Sequence, residues 1–284
     1  MIPYFEIKSQ IEKMTPTTIK SIIKRQRLCF SKKQITFYLY TILKHGKKQR
    51  DFLSIYNSIK KKTILRLKLP HYSAFMDNIA TVAPLMKMLF VIWNHKAKIV
   101  ASSLWNAVDT TLIVEKEEKS INEKDWKQNR VTTRTVNKNK VRICGSKGLV
   151  FINRNGFVTH AERCRINASD VNFLKDSEFY RRFSKGFLLA DRGFQSKIVR
   201  ARMTSIENCK FISPYQKKQK KDLPLKERKM YKRRWKIETL FQKIKNTYGE
   251  VRLNLKGKYR SVIKDAKFFS TIWTYNHTLS TKGV

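Results

Sequence analysis

The stretch KGFLLADRGF, residues 185–194, is an apolar run that stops at Asp191 and breaks at Gly193. It reads as a buried strand with a turn directly behind it. A carboxylate ending such a strand must have its desolvation offset, so Asp191 invites a reason. Upstream, SLWNAVDTTLIV (103–114) is a second strand pattern, rich in Val, Ile, Leu and Thr, and it carries Asp109. Between the two, KGLVFINRNGFVTHAERCRI (147–166) forms two apolar runs around Asn155-Gly156, a strong hairpin signal. The segment from Glu115 to Lys140 is polar and mixed in charge, and predicts a long exposed loop.

Working outward toward the C-terminus, DVNFLKDSEFYRRF (170–183) has a helical pattern, and a second helix is predicted from about Lys197 to Ser205. A short strand, CKFISPY (209–215), follows. The basic run Lys217 to Lys229 leads into a long helix through Tyr248, with Gly249 as its stop, and a last helix covers about Ser261 to His277. The order is strand with Asp, hairpin, helix, strand with Asp, helix, strand, helix with Glu. It predicts an α/β fold, a mixed sheet flanked by helices, with the two Asp-bearing strands side by side and the helix of Glu238 over their ends.

The first 98 residues have a different texture. Thr15 is placed to cap a helix with Pro16 at its first position, and Ser31 with Gln34 forms a capping-box pattern before QITFYLYTILKH. Gly46 ends that helix, a third runs from about Gln49 to Ser58, and residues 85–93 read as a core helix. Helix, Gly-containing turn and helix suit a DNA-binding helix-turn-helix and an ordinary bundle equally well. The expected division is a helical N-terminal domain over 1–98, a candidate for DNA binding, and an α/β domain over 99–284.

Composition narrows the partners. The chain has 284 residues and a net charge of +41, with 41% hydrophobic residues, enough to bury a core and to exclude a disordered basic tail. The charge is spread, with net +16, +9 and +16 over residues 1–100, 101–200 and 201–284. A folded body so charged repels itself unless a polyanion screens it, and nucleic acid is the polyanion expected. The apolar run Ile79 to Trp93 is interrupted by Lys87 and too short for a bilayer, and no amphipathic basic helix points to a membrane surface. Cys29, Cys144, Cys164 and Cys209 are scattered without a Cys-x-x-Cys pair, which argues against a disulfide framework or a zinc knuckle and for a reducing cytosol. His45, His71, His95, His160 and His277 are isolated.

Within the last part of the chain, Tyr231, Arg234, Glu238 and Lys245 fall within an arc of about 60° on a helix. Ile237, Leu240, Ile244 and Tyr248 make an apolar stripe beside them, and Lys232, Lys236 and Lys243 a basic face free to meet phosphate. An Arg234–Glu238 ion pair at i,i+4 accounts for part of this stripe, and a strand-end cap or a bridge to Arg192 or Arg142 would account for the aspartates. The alternative is a hard-cation site. Asp109, Asp191 and Glu238 would hold Mg²⁺, or Mn²⁺, whose other ligands come from phosphate. Trp235 reads as a core residue or as one that stacks on a flipped base.

Val-Asp109-Thr-Thr, Leu-Leu-Ala-Asp191-Arg-Gly193-Phe and Tyr231-x2-Arg234-x3-Glu238-x6-Lys245 resemble the three motifs of bacterial insertion-sequence transposases with a DDE catalytic core, in order and at intervals of 82 and 47 residues. The resemblance covers about Ser102 to His277. It implies an RNase H-like core, with Asp109, Asp191 and Glu238 as the catalytic, metal-binding triad and Tyr231, Arg234 and Lys245 on phosphate near the cut. It also implies cleavage of double-stranded DNA at element ends, strand transfer into target DNA, Mg²⁺ as the working metal, a homodimer or larger assembly pairing two ends, and a place in the bacterial cytoplasm at the nucleoid. Relatives often carry Gly-x-Lys-x-His on the second strand. Here Gly145 and Lys147 are kept and Leu149 replaces the His, so an accessory DNA contact at Lys147 is expected without its neighbour. A nuclease or resolvase without strand transfer, and an inactive DNA-binding remnant, are the competing readings.

Overall fold

The computed structural model describes residues 3–23, 30–44, 49–61, 70–102, 104–117, 121–127, 131–136, 139–172, 186–205, 209–215, 222–248 and 260–282. They form two compact units, residues 1–97 with 252–284, and residues 98–251.

In the first unit the helices are α1 (Tyr4–Glu12), α2 (Pro16–Ile23), α3 (Lys32–Lys44), α4 (Gln49–Lys61), α5 (Tyr72–Val82) and α6 (Leu85–Lys96). The caps legible in the sequence are made. Thr15 Oγ1 accepts from the N–H of Thr18, and Ser31 and Gln34 bond reciprocally, Gln34 N–H to Ser31 Oγ at 3.2 Å and Ser31 N–H to Gln34 Oε1 at 2.8 Å. Phe37, Tyr38, Tyr56 and Phe75 build an aromatic core. The C-terminal helix, predicted to belong with residues 99–284, packs here instead: Phe269 meets Phe90, and Asn276 Nδ2 donates to Asn94 Oδ1 at 2.9 Å. Its apolar side, with Ile263, Ile272 and Trp273 fully buried, is what the bundle takes up. Among the described residues no single helix is long and apolar enough to cross a membrane.

The second unit is the predicted α/β body. Its elements are β1 (Trp105–Glu117), α7 (Glu123–Lys127), β2 (Val131–Val136), β3 (Asn139–Asn153), β4 (Val158–Arg165), β5 (Gly186–Ala190), α8 (Lys197–Thr204), β6 (Cys209–Ile212), α9 (Leu225–Tyr231) and α10 (Trp235–Tyr248). The C-terminal helix of the first unit is α11 (Arg260–Thr281). The described strands form one mixed sheet. β3 pairs antiparallel with β1 on one edge and with β2 and β4 on the other, and β5 and β6 continue from β1 in parallel. The path β4-β3-β1-β5-β6, an antiparallel meander extended by parallel strands, is the RNase H-like order.

Two local expectations are corrected and one is met. The predicted loop over 115–140 is largely structured: β1 runs on to Glu117, and the β-branched VTTRTV of β2 pairs with the first half of β3. A polar edge strand with no apolar run reads as a loop. The hairpin expected around Asn155-Gly156 is present, as a three-residue loop closed by Asn153 N–H to Phe157 O at 2.9 Å, with Gly156 at φ 90°. The helix predicted up to Tyr248 is broken by a tight 3₁₀ turn over Lys232–Arg234. The final stop at Gly249 lies outside the described residues.

Candidate active site

Strand parity brings the first two carboxylates together. Successive strand residues face opposite sides, so Trp105, Ala107 and Asp109 share one face of β1, and Val108 and Thr110 the other. The parallel ladder between β1 and β5 ends at Val108 opposite Ala190. Asp109 and Asp191 are therefore the next residues of neighbouring strands on the same face, about 5 Å apart in backbone. The opposite face is sealed by Val108, Leu188, Ala190, Phe194 and the α8 residues Val199 and Met203. On the Asp face lies α10, whose Ile237, Leu240 and Phe241 are buried and whose Lys236 Nζ sits 5.7 Å from the centre of the Trp105 ring.

Asp191 closes its strand as a cap: its Oδ1 accepts from the N–H of Arg192, and Ser213 Oγ donates to its carbonyl at 2.8 Å. Asp109 Oδ1 accepts from the N–H of Thr110 at 2.8 Å. The Asp109 side chain is 15% exposed, whereas those of Asp191 and Glu238 are more than half exposed. All three converge on one cation. Arg234 Nη2 bonds Asp109 Oδ2 and lies 4.0 Å from Asp191 Oδ2, while Nη1 donates to Glu238 Oε1 at 2.7 Å. Arg234 is itself buried, and its guanidinium lies 6.0 Å from the centre of the half-buried Tyr231 ring.

Burial pushes the Asp109 carboxyl up to about 6, against lowering by Arg234 and the Thr110 N–H and with further raising by Asp191 and Asp170. For Arg234, burial lowers the proton affinity, but Asp109, Tyr231, Asp191 and Glu238 together outweigh it and raise the pKa. Burial also raises the Tyr231 hydroxyl. These are the marks of a site built to gather negative charge around a cation.

Three carboxylates, one of them largely buried, are the donor chemistry of a hard divalent ion, and that group fits the residues present. Their spacing is at present that of the partners of a guanidinium. Among the described residues no three His, Cys, Asp or Glu side chains stand close enough to hold one ion as placed.

The residues expected on DNA are divided. Lys232 is exposed. Lys236, expected on a free basic face, donates to the carbonyl of Arg154 at 2.9 Å and so ties α10 to the β3–β4 turn. Lys147 pairs with Asp170 Oδ1 at 3.0 Å and donates to the carbonyl of Ala168 at 2.9 Å. Lys245 falls within α10, and its side chain lies outside the described residues. Trp235 is 57% exposed, so the core reading of it is replaced by that of a free surface aromatic beside Arg234. Cys164 stands opposite Lys147 across the hairpin. A cavity of about 500 Å³ lined by Lys98, Ser102, Leu104, Asn153 and Arg154 opens at the start of β1.

Asp170 is the site residue the sequence conceals. Its Oδ1 accepts from Thr110 Oγ1 at 3.3 Å as well as from Lys147, joining β1 and β3 directly beside Asp109. A Cβ on Gly193 would come within 3.1 Å of its Oδ2. Gly193 thus sits tight against Asp170 and is not in a left-handed turn. As the first residue of a helical pattern, Asp170 looks like a helix-start acid, and nothing in its spacing sets it apart.

The family model described as "Transposase DDE domain" matches residues 106–265, a span that contains all three carboxylates and Arg234. None of the curated proteins compared with the chain matches it.

Proposed function

Since the chain belongs to the family of transposases with a DDE domain, whose substrate is DNA, we propose that it cuts the ends of its own insertion element and joins them to target DNA. The observation that carries this reading is the convergence of Asp109 from within β1, Asp191 from the end of β5 and Glu238 from α10 on the buried Arg234 guanidinium. These three side chains would hold Mg²⁺, with Mn²⁺ as a substitute. When bound, such ions activate water or a 3′-hydroxyl and steady the leaving oxygen of an in-line displacement at phosphorus.

The chain's own residues do the rest. The field of a +41 body draws duplex DNA to the surface, and the carboxylates reverse its sign locally. Tyr231, Lys232 and Lys245 hold phosphates near the cut, and the exposed Trp235 supplies a face for an unstacked base. Lys147, fixed by Asp170, and Lys236, fixed on Arg154, brace the elements that carry the carboxylates. The helical unit of residues 1–97 and 252–284 grips the element end, and two or more copies pair two ends in the bacterial cytoplasm.

The test is incubation of the chain and Mg²⁺ with duplex DNA ending in the repeats that flank its gene. Joined products are expected. Cut ends without joining would make it a nuclease or resolvase, and binding without cutting would leave a DNA-coating remnant.

A further inference from the structure

We propose that Arg234 is the active site's built-in counter-cation, a guanidinium that gathers the three carboxylates before a divalent ion arrives and must leave them when one enters. The inference rests on the reading of Asp109, Asp191 and Glu238 as metal ligands, and adds to it a competitor for the same oxygens.

Geometry is the first support. Arg234 addresses Asp109 and Asp191 through Nη2 and Glu238 through Nη1, so the oxygens it engages are those an ion would need. A guanidinium and a divalent ion cannot share them, because like charges at contact distance repel. One positive charge also answers three negative ones incompletely, whereas a divalent ion answers them better. The exchange therefore runs in favour of the ion wherever the guanidinium has somewhere else to go.

A second, independent observation is that the contact leaves Arg234 unsatisfied. Its Nε is buried and has no hydrogen-bond partner among the described residues. A buried donor without an acceptor carries a penalty that is removed once the group reaches phosphate or water. The guanidinium fork suits a phosphate, to which it can give two parallel bonds. The backbone allows the move, since Arg234 ends the 3₁₀ turn between α9 and α10 and is not locked inside a regular helix. Metal entry and phosphate engagement are then coupled. DNA that draws Arg234 away empties the place the ion takes, and the ion that enters frees Arg234 for DNA.

Calorimetric titration of the full chain with Mn²⁺ alone, without DNA, tests this on the wild type, Arg234→Gln, Arg234→Lys and Asp109→Asn. Arg234→Gln is expected to bind Mn²⁺ about tenfold more tightly than the wild type. Its ion-free form should melt at lower temperature and recover more on Mn²⁺ addition than the wild type does. Arg234→Lys, which keeps a charge but loses the fork, should lie between the two, and it serves if the Gln variant does not fold. Asp109→Asn should lose Mn²⁺ binding. Equal or weaker Mn²⁺ affinity in both Arg234 variants, with binding still abolished by Asp109→Asn, would overturn the counter-cation and leave the metal site standing. Mn²⁺ binding unaffected by Asp109→Asn would overturn the metal reading itself and the inference with it.

Discussion

Arg234 in the sheet unit and Lys267 in the helical unit are both nearly inaccessible, at 9% and 5% exposure, yet their surroundings answer them differently. Lys267 of α11 donates to the carbonyls of Ile42 and Leu43, at 3.2 and 2.9 Å, in the last turn of α3. Those carbonyls are the negative end of a helix, fixed main-chain acceptors with no charge to give up to another ion. Arg234 is met by three side-chain carboxylates, two of them reaching solvent. A cation held by main chain is a rivet; a cation held by carboxylates is exchangeable. The same chain uses the first to hold its bundle and the second where chemistry is expected.

The comparison is sharpened first by pH, where the largest effect is expected. Asp109 has its carboxyl at about 6 in the folded chain against 3.8 ordinarily. The folded state then binds the proton more tightly than the unfolded one. Stability of the ion-free chain from this group is greatest below about pH 4, falls as the pH rises through about 6, and is flat above. The loss is about 3 kcal/mol. Urea unfolding of wild type and Asp109→Asn from pH 4 to 7.5 checks it, since the difference between the two should follow this curve. A difference independent of pH would mean that Arg234 fully offsets the burial.

Next in size is Lys267→Met, which keeps the stem and removes the donor from two buried carbonyls. About 2 kcal/mol of stability should be lost, seen as a melting temperature lower by several degrees. The response of the chain to Mn²⁺ should not change. A changed response would break the distinction drawn between the two cations.

The smallest effect is expected at Gly193. Gly193→Ala places a Cβ 3.1 Å from Asp170 Oδ2, and should cost about 1 kcal/mol. In an Asp170→Ala background the same change should be close to neutral, measured as a double-mutant cycle. An undiminished penalty there would show that Gly193 answers to something other than Asp170.

How much of this was legible follows the physics of each signal. The apolar runs before Asp109 and Asp191 announce buried strands, but that both side chains share one face follows from the β1–β5 register, Val108 opposite Ala190, which the sequence does not show. The caps at Thr15 and Ser31 are local chemistry and read directly. The β2 strand is not legible, because a polar edge strand lacks the apolar run by which buried strands are known. Helix α11 shows an apolar stripe, but a stripe does not say which unit will cover it. The meeting of Arg234 with all three carboxylates depends on the 3₁₀ turn that ends α9, and a stripe drawn on an unbroken helix gives only the Glu238 half of it. Lys147 and Lys236 read as free cations because their partners, Asp170 and the Arg154 carbonyl, are 23 and 82 residues away.

The central claim is that these carboxylates perform the cutting and do not merely bind Arg234. Its most direct measurement is cleavage of end-bearing duplex DNA in Mg²⁺ by wild type and Asp109→Asn, with DNA affinity recorded for both. Cutting should fall by about 10³-fold or more while affinity stays within about twofold. An Asp109→Asn chain that cuts at the wild-type rate would contradict the account.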